Sequence, residues 1–179
     1  ESVLDFLDDI DETAKIIGAV NTIKIIENKK VGYNTDHLGF KKSILNFIDC
    51  SIINKALILG NGGATKAIKY ALDNLNIEHQ TVSRKKGKSD FTYDQLNKKI
   101  IHEHTVIINC TPIGTFPNIK ESPKIPYEFL CKKNYLYDLV YNPEKSEFLR
   151  MGQMMGCRVK NGFEMLKFQA EESWKIWNN

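Results

Sequence analysis

The stretch Leu57-Ile58-Leu59-Gly60-Asn61-Gly62-Gly63-Ala64-Thr65-Lys66-Ala67 decides the fold. Its apolar opening, residues 56–59, is too short for a helix and reads as a buried strand. Ala67, Ile68, Ala71, Leu72 and Leu75 then recur at helical spacing. A strand that passes through a glycine-rich turn straight into a helix is the phosphate-cradling unit of dinucleotide-binding sheets. Without side chains, Gly60 and Gly62 let the backbone turn tightly and a pyrophosphate approach, while free amides at the helix start donate to its oxygens. Thr65 stands where the strict fingerprint has a third glycine. A plain tight turn is the alternative, and the strand-to-helix setting weighs against it.

Downstream the alternation continues. Residues 80–83 read as a strand, a helix is expected around 93–99, residues 105–109 and 135–140 read as strands, and a helix runs from 144 to about 155. A short strand near Arg158 precedes Asn161-Gly162 and a last helix whose Phe163, Leu166, Ala170, Trp174 and Trp177 share one stripe, with both tryptophans expected to seek a core. Strands alternating with helices imply an α/β fold, a doubly wound parallel sheet covered on both faces. The stretch 112–126, with four prolines, is the longest irregular one. Upstream, two short strands from near Val20 flank the polar turn Glu27-Asn28-Lys29-Lys30 and end at Asp36; an amphipathic helix over 37–48 follows, carrying Phe40, Ile44, Phe47 and Ile48.

Composition narrows the function. The chain has 179 residues, 42% of them hydrophobic, enough for one domain or for one domain with part of another. No run of about eighteen apolar residues could span a bilayer, and Glu1-Ser2-Val3-Leu4-Asp5 lacks the character of a secretory signal, so a cytoplasmic location is expected. The four cysteines are far apart, which suits buried or bystander thiols and no zinc knuckle; His102-Glu103-His104 reads as a solvated loop, and no metal site is expected. A net charge of +3 is too small to argue for nucleic acid. The basic residues gather between Arg84 and Lys88. Ser83 falls twenty-three residues after Gly60, at the end of the next strand, and Arg84 follows it. An acid there would suit the ribose hydroxyls of NAD; Arg84 instead points to the 2′-phosphate of NADP, with an exposed lysine-rich loop as the bland alternative.

Three further clusters carry polar groups. Gly18-Ala19-Val20-Asn21-Thr22 and Gly32-Tyr33-Asn34-Thr35-Asp36 are brought near each other by the hairpin, although Asp36 by itself also suits a helix N-cap. Asp138-Leu139-Val140-Tyr141-Asn142-Pro143 lies at the carboxyl end of a strand, where open parallel sheets bind ligands; Tyr141 could equally be packing. Gln169 sits two helical turns beyond Gly162, a position more often simply solvated.

Taken in order, these blocks, together with Ile108-Asn109-Cys110-Thr111-Pro112-Ile113-Gly114 and the run from Gly162 to Ala170, resemble the shikimate dehydrogenase family over essentially the whole chain. The resemblance implies NADPH-dependent, reversible reduction of 3-dehydroshikimate to shikimate. It implies that Asn21, Asp36 and Gln169 bond the substrate with Tyr141 beside it, Asp36 being catalytic. Gly60, Asn61, Gly62, Gly63 and Ala64 would cradle the pyrophosphate, Ser83, Arg84 and Lys85 would face the adenosine phosphate, and Thr111, Leu139, Gly162 and Met165 would border the nicotinamide. Ser83 and Lys85 depart from the family's usual Asn-Arg-Thr or Asn-Arg-Ser while keeping the positive charge.

The family's catalytic lysine belongs to an upstream Asn-Val-Thr-x-Pro-x-Lys block, and Glu1-Ser2-Val3-Leu4 resembles the segment directly after that lysine. The expectation is therefore an N-terminally truncated chain without appreciable turnover: residues 1–36 as the end of an α/β substrate-binding domain, 37–161 as a Rossmann-like NADP domain, and 162–179 as a helix returning to the first. Apolar faces of the hairpin and last helix would then be left uncovered. Partners expected are the small-molecule substrate and NADP, with no nucleic acid or membrane, in a monomer or homodimer. Two rivals are a quinate/shikimate dehydrogenase of looser cofactor choice and a non-catalytic NADP-binding module. The second predicts that no lysine precedes Glu1 in the reading frame.

Overall fold

The computed structural model describes residues 3–179; Glu1 and Ser2, which open the block resembling the segment after the family's lysine, lie outside the described residues. A first, small sheet comes from the N-terminal end. There β1 (Asp9–Ile10) leads into α1 (Glu12–Ile17), followed by β2 (Thr22–Ile26) and β3 (Lys29–Tyr33). The Asp11 carboxylate accepts from the Thr13 and Ala14 amides and so caps α1, while Gly18 ends it at φ 68°, a left-handed setting that disfavours a side chain. Strand β3 lies between the other two, parallel to β1 and antiparallel to β2. Glu27 and Asn28 take φ of 49° and 64°, the twist-matched geometry of a two-residue hairpin turn. Lys29 and Lys30, expected in that turn, accordingly belong to the strand.

Helix α2 (Asp36–Leu45) starts one residue earlier than expected, with Thr35 at its N-cap position. Beyond it come β4 (Ala56–Leu59), α3 (Gly63–Asp73), β5 (His79–Ser83), β6 (Phe91–Thr92), α4 (Lys98–Glu103), β7 (Val106–Asn109), β8 (Tyr135–Asp138), α5 (Glu147–Met154), β9 (Arg158–Lys160) and α6 (Phe163–Asn178). The second sheet runs β6-β5-β4-β7-β8-β9 and all its pairings are parallel. The chain thus builds outward from β4 in one direction and then, starting at β7, in the other. That reversal opens a crevice at the carboxyl ends of β4 and β7, the place where doubly wound sheets take their ligands.

Every residue of β4, β7 and β8 is buried, because both faces of the sheet are covered. Alternation sorts them into two layers: Ala56 and Ile58 pack with Phe40, Ile44, Ile68 and Tyr137, whereas Leu57 and Leu59 pack with Ile101, Leu136 and Phe148. Each such aliphatic side chain taken fully from water contributes roughly 1.5–3 kcal/mol. Helix α6 crosses α2 closely at Gly39, where a Cβ would come within 2.7 Å of the Met165 carbonyl oxygen.

Three local expectations differ from the structure. The helix expected around 93–99 is a single turn, Tyr93–Gln95, closed by a Thr92/Gln95 capping box; Asn97 then caps α4, its Oδ1 accepting from Ile100 N. The His102-Glu103-His104 run is not a solvated loop: it closes α4, and His104 is fully buried, with Nδ1 bonded to the Ile100 carbonyl oxygen at 2.6 Å. Trp174 and Trp177 stay 65% and 52% exposed, although the Trp177 indole nitrogen donates to Ile23 O. Among the described residues no helix is long and apolar enough to cross a membrane, and all four cysteines are free.

Candidate active site

The hairpin and two helices gather one set of polar groups. Asn21 precedes β2, Asp36 opens α2, and Gln169 lies on the face of α6 that packs on α2. The Asn21 amide Nδ2 donates to Asp36 Oδ1 at 2.8 Å and to Thr35 Oγ1 at 3.0 Å, and it reaches Gln169 Oε1 at 3.3 Å. In return Asn21 Oδ1 accepts from Thr35 N at 2.8 Å, so both ends of the amide are fixed. Asp36 therefore does not act as the helix cap; its carboxylate is turned to Asn21. Behind this row the hydroxyls of Thr22, Thr35 and Ser173 bond one another, with Ser173 Oγ 2.7 Å from Thr22 and 2.9 Å from Thr35. Thr22 and Thr35 stand in the polar clusters without an assigned role, and Ser173 is missed when the sequence is read alone. Ser173, one helical turn beyond Gln169, could have been found by its spacing.

Burial raises the pKa of Asp36 above the usual carboxylate range, and the Asn21 hydrogen bond opposes part of that rise. No cation among the described residues offsets it.

The rest of the site's lining comes from the start of α3, the segment after β8 and the start of α6. One cleft of about 280 Å³ is lined by Asn21, Asp36, Gln169 and Tyr141 on the polar side. Ala64, Leu139, Gly162, Met165 and Leu166 supply its apolar side. Leu166 is a further lining residue without a sequence signal. Tyr141 is 47% exposed and stands at the mouth. A broader depression on the outer face of α6, around Trp174, Lys167 and Lys175, is built by one helix alone and has no convergent polar groups.

The glycine turn sits at the crevice. Gly60 takes φ of 119°, and a Cβ there would press on the Cys110 carbonyl and Thr111, so the turn needs glycine on both counts. At Gly62, the N-cap position of α3, a Cβ would meet nothing within 4 Å, and no side chain caps the helix. Gly63 and Ala64 begin α3 itself, with Ala19 beside Gly63. The Asn61 side chain donates to Lys88 O at 2.6 Å and ties the turn to the basic loop, leaving its backbone in the turn.

That loop follows β5. Arg84 and Lys85 are exposed, while the Asp90 carboxylate anchors the far end by accepting from Thr81 N and Oγ1. Ser83 Oγ donates to Lys85 O and lies 2.9 Å from Ser89 Oγ, which leaves it little capacity for a ligand. These three residues lie beyond the cleft lining, at the end of the strand next to β4.

Thr111 is held at the end of β7 by Asn109, whose Oδ1 accepts from Thr111 N at 3.0 Å and from its hydroxyl at 2.6 Å. Asn109 in turn donates from Nδ2 to Asp138 Oδ1, 2.9 Å away at the end of the neighbouring strand. Asp138 is fully buried, and burial lifts its pKa to about 6 against the opposing bonds from Ser146, Val140 N and Asn109.

No family model matches the chain. Over 186 residues it is 39% identical to a Clostridium botulinum protein named shikimate dehydrogenase (NADP(+)), the alignment covering 99% of this chain and 71% of that protein. Among solved structures it resembles shikimate dehydrogenase 1 from Peptoclostridium difficile, 39% identical with a TM-score of 0.83, over 99% of this chain and 67% of the other. It is also similar to shikimate 5-dehydrogenase from Thermus thermophilus, solved in complex with NADP(H) and shikimate: 29% identity, TM-score 0.86, 99% of this chain and 69% of the other.

Proposed function

This chain belongs to the shikimate dehydrogenase family, and we propose that it serves the NADP-dependent, reversible reduction of 3-dehydroshikimate to shikimate, a step toward chorismate and the aromatic amino acids. One observation carries the reading. Asn21, Asp36 and Gln169 converge on a cleft whose other side is lined by Ala64 and Leu139, at the carboxyl-end crevice of the parallel sheet, and by Met165 of α6. A hydroxylated ring fits against the polar wall and a flat pyridine ring against the apolar one.

The residues present suit a phosphorylated dinucleotide. Gly60, Asn61, Gly62, Gly63 and Ala64 would hold the pyrophosphate through backbone amides at the uncapped start of α3, with room in front of Gly62. Arg84 and Lys85 would take the 2′-phosphate, and Thr111, Leu139, Gly162 and Met165 would flank the nicotinamide. When bound, NADPH supplies the hydride. The chain's own groups deal with the charge that results: the ketone oxygen turns anionic and needs a proton. Asp36, oriented by Asn21, sits where such a proton is managed. The family resemblance pairs it with a lysine of the upstream block, and a buried carboxylate with no cation beside it among the described residues is what an ammonium would neutralise. Asn21 and Gln169 would hold ring hydroxyls, and Tyr141 would cover the mouth. The same reading makes this a cytoplasmic protein with small-molecule ligands, a monomer or homodimer without nucleic-acid or membrane partners.

The test is the assay itself. The complete gene product should oxidise NADPH when 3-dehydroshikimate is added, whereas a polypeptide confined to residues 1–179 should bind NADP with little turnover; a complete product inert to this pair sinks the assignment. Arg84→Glu should weaken NADP binding by about 10- to 100-fold, the worth of one charge-assisted phosphate pair turned repulsive, with NAD binding little changed. Titration calorimetry with both nucleotides checks it.

A further inference from the structure

We propose that Asp138 is a positioning residue: through Asn109 and Ser146 it clamps together the two loops, carrying Thr111 and Leu139–Tyr141, that border the nicotinamide. The inference deepens the function proposed above and rests on it.

The network has a direction. Thr111 donates twice to Asn109 Oδ1, once from N and once from Oγ1. This settles which way the Asn109 amide points, so its Nδ2 must face Asp138. Asp138 Oδ1 also accepts from Val140 N at 3.0 Å, and Oδ2 accepts from Ser146 Oγ, the residue that caps α5. Every neighbour offers a proton and none needs one, which calls for a group that only accepts, namely a carboxylate. Asn109, Asp138 and Ser146 are each 0–1% exposed.

Stability alone is a poor reason for the arrangement. Burying a carboxylate without a cation is costly even when hydrogen-bonded, and apolar packing would hold two strand ends together at least as well. What the three bonds do achieve is a single setting of the backbone just past two adjacent strands. The Leu139 amide also donates to Asn109 O at 2.9 Å, and Phe116 N donates to Asn142 O at 3.0 Å, so the two loops are tied again farther out. Thr111 meanwhile abuts Gly60. The clamp therefore fixes the nicotinamide end of the crevice and touches neither the basic loop nor the amides of α3.

Asn109→Asp turns the clamp into a pair of carboxylates across 2.9 Å, which can hold its geometry only by sharing one proton. The other titratable groups facing the pair are Cys110 and Tyr127; burial pushes both above the physiological range, so they stay neutral during the titration. Two ligands separate positioning from folding: NADP⁺ spans the whole crevice, whereas adenosine 2′,5′-bisphosphate has the phosphate half and no nicotinamide. Their affinity ratio cancels the protonation of the shared 2′-phosphate. Asn109→Asp is expected to come nearest the wild-type ratio at about pH 6.5, where wild-type Asp138 is largely ionised and the mutant pair still shares a proton, and to lose about tenfold in NADP⁺ affinity relative to wild type by about pH 8, with the bisphosphate unaffected.

An Asn109→Asp ratio that tracks the wild-type ratio at every pH overturns the proposal. Equal loss of both ligands overturns it as well, since the network would then merely hold the sheet. Wild-type protein that binds neither ligand removes the NADP assignment and the clamp with it. Should Asn109→Asp fail to fold, Ser146→Ala, which deletes one donor and adds no charge, decides instead: an NADP⁺-to-bisphosphate ratio shifted by about threefold supports the clamp, and an unshifted one refutes it.

Discussion

Asp36→Asn in the complete enzyme should lower kcat for 3-dehydroshikimate by about two to four orders of magnitude, the usual worth of a positioned proton-handling group. The substitution is close to isosteric, and the Asn21 Nδ2 bond to Oδ1 survives, because the amide oxygen of asparagine still accepts. The site should therefore keep its shape, with NADP affinity within about threefold of wild type. What disappears is the ability to carry negative charge and so to hold and orient an ammonium. Steady-state kinetics with a parallel thermal melt separate the two effects. Unchanged kcat in a folded variant would remove Asp36 from the chemistry. Stability should move the other way in a polypeptide of residues 1–179. Burial raises the folded-state pKa of Asp36 above its unfolded value of 3.8, so the native state retains the proton longer and stability falls as pH climbs through the interval between the two values. Asparagine has no such interval. The variant should gain relative to the parent as pH rises above about 4, and denaturant midpoints measured at several pH values would show it.

How much of this was legible without coordinates depends on how far each feature reaches along the chain. The apolar run 56–59 is flanked by Lys55 and Gly60 and buried on both faces, so its strand reads directly. That the strands around it run parallel followed from alternation with helices, whereas their order comes from the fold alone. Strand β1 and helix α1 were not anticipated, since two and six residues are too few for a period to show. Asn97 misplaced the next helix for a different reason: a side chain that caps one helix looks, in one dimension, like any polar residue of another.

The site divides along the same line. Asn21, Asp36 and Gln169, distant in sequence, were singled out from a family resemblance, and the fold brings their side chains together. The hydroxyl row of Thr22, Thr35 and Ser173 escaped notice because its members meet only in three dimensions. Asn61 shows the reverse: its place in the glycine turn was plain, but the bond to Lys88 O that occupies its side chain was not. Side-chain chemistry is written in residue types, whereas the partner that consumes it is set by tertiary approach.

Tertiary approach also governs the second large effect, expected from Gly162→Ala. Gly162 has φ −79° and ψ 0°, a setting open to any residue, so conformational freedom is not why glycine stands there. Space is. A Cβ would lie 2.1 Å from the Leu139 carbonyl oxygen and 2.6 Å from its carbon, and both are backbone atoms that cannot rotate away. The contact is reinforced by Gly162 N donating to Val140 O at 3.2 Å. Relief requires the start of α6 to back off from the end of β8, which costs about 1–3 kcal/mol as overpacking. Because α6 carries Met165 and Gln169, the same shift opens the cleft on both walls, and a misplacement of about 1 Å can lower turnover by about 100-fold. Gly62→Ala provides the contrast. Its Cβ meets nothing within 4 Å in the folded chain, but it would project into the space that the proposed function gives to the pyrophosphate. That variant should stay within about 0.5 kcal/mol of wild type in stability and lose about tenfold or more in NADP affinity. Denaturant melts and NADP titrations of the pair should thus give opposite profiles, one glycine required by the fold and the other by the ligand. A Gly162→Ala protein with parental stability and turnover would mean that α6 is not seated on Leu139, and the cleft drawn from that seating would go with it.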